Sequence, residues 1–145
     1  MKTLKLKSFT ITGYSILIIL LLFSSCSQKI SFITSAVVPS AQGHIKITKD
    51  NNNNSAIDIT VQRLADPTRL TPPEKVYVVW VQTESNGTKN VGQLNSSDSF
   101  FSSTMKASLQ TVTPFKPVKV FVTAEQDANI QYPGSVMVLT TKSFN

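Results

Sequence analysis

One imidazole, His44, and one thiol, Cys26, stand among the 145 residues. Nucleophilic catalysis needs a nucleophile oriented by a base, usually histidine. His44 falls in a strand pattern expected at a sheet edge, where an exposed polar side chain is the ordinary occupant. Acid–base work by paired carboxylates needs two that converge. Glu125 and Asp127 are near in sequence, but they flank the start of a loop, and solvation accounts for both. Asp50, Asn52 and Asn54 match the start of a calcium loop. Its sixth position is Ser55 instead of glycine. Its twelfth is Val61, an apolar strand residue where a bidentate glutamate belongs. The five glycines form no phosphate-cradling repeat. One cysteine excludes an internal disulfide framework and a multi-cysteine zinc site. The expectation is a protein that is not an enzyme, with no catalytic residue, no metal and no cofactor.

The cysteine has a different context. Lys2, Lys5 and Lys7 form a basic flank without acids, and a mostly apolar run follows from Phe9 to Phe23. Then come Ser24, Ser25 and Cys26. Basic flank, short apolar core and small residues are the three parts of an export signal. The lysines stay at the anionic cytoplasmic leaflet while the core enters the bilayer. The run is interrupted by Thr10, Thr12, Gly13, Tyr14 and Ser15, so it is short for a spanning anchor, which needs about 20 apolar residues. Phe23-Ser24-Ser25-Cys26 resembles the lipobox of bacterial lipoproteins: an apolar residue, two small ones, then cysteine. Phe23 replaces the more usual leucine. The resemblance implies cleavage before Cys26 and lipidation of that residue. Several acyl chains would hold the protein firmly where one gives only marginal anchoring. Ser27 lacks the aspartate associated with inner-membrane retention in that family, which implies the outer membrane and a protein facing the periplasm.

The rest of the chain must position whatever this protein presents. Residues 1–25 are expected as the signal helix, 26–43 as a lipidated tether, with Ile30, Phe32, Ile33, Val37 and Val38 as candidates for packing or a first strand, and 44–145 as one domain. From His44 the dominant pattern has period two. Ile45 and Ile47 alternate with Lys46 and Thr48, and Ile57, Ile59 and Val61 with Asp58 and Thr60. Between Lys75 and Thr83 both faces are apolar. Val76, Val78 and Trp80 lie on one side, and Tyr77, Val79 and Val81 on the other. That strand is expected to be central and covered on both sides, with Trp80 as a core anchor. Further strands are expected over residues 89–94, 100–109, 117–125 and 136–142. In 117–125, Val118, Val120 and Val122 point inward, with Lys119, Phe121 and Thr123 outward. Asn86-Gly87 marks a hairpin turn, and Tyr132-Pro133-Gly134 a type II turn. The fold expected is all-β: an antiparallel immunoglobulin-like sandwich of about seven strands. An antiparallel barrel is the competitor.

Several strand motifs carry a second resemblance. Val76-Tyr77-Val78-Val79-Trp80-Val81, Asn90-Val91-Gly92-Gln93-Leu94 and Val120-Phe121-Val122-Thr123-Ala124-Glu125 look like the extracytoplasmic C-terminal domain of anti-sigma-K-type factors. The resemblance covers about residues 75–139. It implies the fold and an extracytoplasmic sensing or interaction role. The cytoplasmic sigma-binding domain and membrane helix of that family have no counterpart in this chain. Trp80 and Glu125 fall at positions taken as packing and hydrogen-bonding sites.

These readings lead to a non-catalytic envelope lipoprotein, anchored through Cys26, whose domain binds an envelope protein or supports an assembly. Strand addition at a sheet edge is one expected contact. An accessory sensor and a carbohydrate- or peptide-binding module are the alternatives. Phe100, Phe101, Phe115 and Tyr132 are the aromatic residues nearest strand or loop ends. Asn86 and Asn95 head formal glycosylation sequons, expected as chance matches in polar loops. Lys2, Lys5 and Lys7 supply three of the +6 net charge, and the remaining basic residues form no run. No nucleic-acid partner is expected.

Overall fold

The computed structural model describes residues 28–96 and 105–144. Nine strands lie among them: β1 (Gln28–Ser31), β2 (Gln42–Lys49), β3 (Ser55–Gln62), β4 (Val76–Thr83), β5 (Thr88–Gln93), β6 (Asn95–Ser96), β7 (Lys106–Thr113), β8 (Pro117–Glu125) and β9 (Met137–Thr140). A single 3-10 turn at Pro67–Arg69 is capped by the Asp66 side chain. The strands form two antiparallel sheets, in the orders β1-β2-β3-β7-β6 and β5-β4-β8-β9. This is an all-β, two-sheet architecture consistent with a sandwich. About seven strands were expected. The two others are β1, in the segment expected as a tether, and the two-residue β6.

The main core lies between the sheets. Ile45, Ile57, Ile59 and Val61 come from the first; Tyr77, Val79, Val81, Val120 and Val122 come from the second. Period-two spacing places these side chains on one face of each strand. Val38 and Ala41, also in the expected tether, are buried in the same core. Their loop is held by the Ser35 hydroxyl, which donates to the Val138 carbonyl and accepts from the Val38 amide.

The sheet edges are poor templates for another strand. The chain crosses from β1 to the second sheet, where Phe32 bridges Thr141 and the Ile33 amide donates to the Thr140 carbonyl. This covers β9. The β5 edge carries a bulge: Val79 faces Gly92 while Trp80 faces Asn90, which leaves Val91 as the extra residue. Bulges and short strands blunt edges.

Three local expectations change. β2 lies between β1 and β3, so His44 is in an interior strand, opposite Ser31 and Thr60. Of Asn86 and Gly87, only Gly87 has positive φ, at 71°. The strand expected over 100–109 is observed at Lys106–Thr113, with 97–104 outside the described residues.

Candidate functional site

The outer face of the second sheet carries the most developed polar arrangement among the described residues. Trp80 is fully buried there, with Val78 and Phe121, apart from the intersheet core. The expected core anchor therefore packs on the opposite face. What buries it is the segment 126–136 between β8 and β9, which brings Ile130 against this cluster.

Two devices hold that segment in place. The Asn90 side-chain amide donates to the carbonyls of Ala128 (2.8 Å) and Ile130 (3.0 Å), while its oxygen accepts from the Gly92 amide. At the other end Glu125 accepts from the Gly134 amide at 2.7 Å. The same carboxylate oxygen accepts from the Thr123 hydroxyl, which itself accepts from the Trp80 indole at 2.7 Å. Trp80, Thr123, Glu125 and Gly134 thus form one chain of hydrogen bonds. Thr123, expected to face solvent, is outward-facing but fully buried beneath this segment.

Gly134 is needed for space. A Cβ there would come within 2.6 Å of Glu125 Oε2. It has no positive φ, unlike the glycine of a type II turn. The turn motif in the sequence was visible, but its cause is the close approach of a carboxylate.

Between β5 and this segment lies an open cleft of about 820 Å³, lined among others by Lys89, Asn90, Gln93, Asn129, Gln131 and Tyr132. Amide side chains dominate its polar lining. Tyr132 is 85% exposed, unusual for so large a ring. Asn90 links cleft and loop directly, a role its place in a polar stretch of sequence did not reveal. Amides can donate and accept at once, so the lining can recognise hydroxyl or peptide groups.

None of the other described residues with possible chemistry lines this cleft. Cys26, Phe100 and Phe101 lie outside the described residues. Asp127 is exposed and accepts from the Asn129 amide. His44 is half-buried in the first sheet. Asp50 is occupied within its own hairpin: Oδ1 accepts from the Asn52 and Asn54 amides and Oδ2 from the Asn54 side chain. The Asn54 side-chain bond, with those amides and Lys49, holds its carboxyl below the usual range. Among the described residues no group of three His, Cys, Asp or Glu side chains is placed to hold a metal ion. Phe115 is half-buried with Lys89 Nζ 5.5 Å from its ring centre. Asn86 and Asn95 are both exposed.

No protein-family model, curated protein or solved structure matches the chain.

Proposed function

We propose that the chain is a bacterial outer-membrane lipoprotein. It is lipidated at Cys26 and presents a non-catalytic, immunoglobulin-like domain to a protein partner in the envelope. The strand order supports the fold: β2-β3-β7-β6 facing β4-β8-β9 follows the ABED and CFG order of that sandwich. The observation that carries the binding role is the cleft beside Tyr132. Its walls are fixed by hydrogen bonds from Asn90 and to Glu125, so recognition there needs little ordering on binding. The blunted edges make strand addition the weaker contact, so the loop surface is the proposed interface. A photo-crosslinker at Tyr132 should capture a specific envelope protein in cells, and one at Thr60 should not. Equal capture at both positions, or none at Tyr132, would reject the reading.

A carbohydrate-binding role has one specific observation in its favour: an exposed aromatic ring beside several amides. Oligosaccharide-induced NMR shifts confined to Tyr132, Asn129 and Gln93 would favour it over the protein partner.

A further inference from the structure

The strand registers sort the charges of the domain by end. At the end where Gln28 begins β1, β2 finishes at Lys49 opposite Ser55, and β8 starts at Pro117 opposite Thr83. Besides Lys29, which follows Gln28 in β1, five lysines belong to this end. Lys49 precedes the β2–β3 turn and Lys89 pairs with Val81 near the β4–β5 turn. Lys116 and Lys119 flank the start of β8, and Lys142 follows β9. Asp50 and Glu84 are the only carboxylates among the described residues there. The Lys116–Glu84 pair, at 3.1 Å, is roughly half exposed on both sides, so water weakens it. Among the described residues the opposite end is balanced: Arg63, Arg69, Lys75 and Lys106 against Asp66, Glu74, Glu125 and Asp127.

We infer that this basic N-terminal end is a docking face for an anionic phospholipid surface. The inference rests on the lipoprotein reading for the choice of partner. Cys26 is two Cα steps from Gln28, within about 8 Å of covalent reach. A lipid there would hold the lysine-bearing end against the headgroups, with little slack from the expected tether because β1 begins at Gln28. Lysines near an anionic surface are attracted to it over about a Debye length. The cleft by Tyr132 runs along β5 from Thr88 and Lys89 to Gln93, so one end of it reaches the basic face.

The test uses the mature protein purified from membranes and reconstituted into phosphatidylcholine vesicles with or without phosphatidylglycerol. Lysine acetylation is read by mass spectrometry. Lys119 and Lys142 should be protected on the anionic vesicles only, Lys75 on neither, and high salt should abolish the protection. Each of Lys119→Gln and Lys142→Gln should lower the ratio of docked to undocked protein about fivefold. Absence of anionic-lipid dependence, or equal protection of Lys75, overturns the docking face. Intact mass of the same sample reads acylation separately: protection in an unacylated protein upholds the face and overturns the anchor.

Discussion

The Trp80 indole donates to the Thr123 hydroxyl at 2.7 Å, across two adjacent strands and on the solvent side of their sheet. Neither group meets solvent, because the 126–136 segment covers both. Phe121 completes the cluster, its ring stacked on Trp80 with centres 6.4 Å apart and planes at 15°. The bond ties a large apolar side chain to the carboxylate that holds the loop, so loop position and sheet packing are coupled.

Thr123→Val keeps the shape and deletes the hydroxyl. It should cost about 1–3 kcal/mol, since the indole N–H and a Glu125 oxygen lose a buried partner. Thr60→Val, on the half-exposed face of the first sheet, should stay within about 0.5 kcal/mol. Urea unfolding of the two variants measures the contrast.

Gly134→Ala should displace the loop, because its methyl meets the Glu125 carboxylate. A loss of about 1–3 kcal/mol is expected for such crowding. Trp80 is the sole tryptophan, so its emission should shift to the red as its cover moves. Gly87→Ala has open space but φ of 71°, and should cost about 1–2 kcal/mol without a spectral shift.

Burial pushes the Tyr77 hydroxyl up to about 12, with the nearby Asp66 charge adding to the effect. The hydroxyl donates to the Ala65 carbonyl at 2.9 Å. A raised folded value means that the native state keeps its proton longer than the unfolded chain. The resulting stability is fully present below pH 10 and is lost as pH rises towards 12. Thermal melts across that window should fall less steeply for Tyr77→Phe than for the parent chain.

Much of the sheet pattern was legible because apolar residues repeat every second position. Ile57, Ile59 and Val61 are buried as their spacing requires, and β4 is covered on both faces. The side of β4 that holds the main core was not legible. Both sides read as apolar, and only the tertiary path of residues 126–136 decides what Trp80 packs against. Thr123 was misread as solvated for the same reason. β1 escaped a firm assignment because Gln28–Ser31 is short and mostly polar, and pairing with β2 is what orders it. Asn90 gave no signal, since an amide that binds carbonyls 38 and 40 residues away looks in sequence like any polar strand residue.

The most direct test of the account is palmitate incorporation at Cys26, followed by intact mass of the mature protein. Labelling should require Cys26, and the mature chain should begin with an acylated Cys26. Equal labelling of the parent and Cys26→Ala, or an unmodified chain that retains residues 1–25, would contradict it.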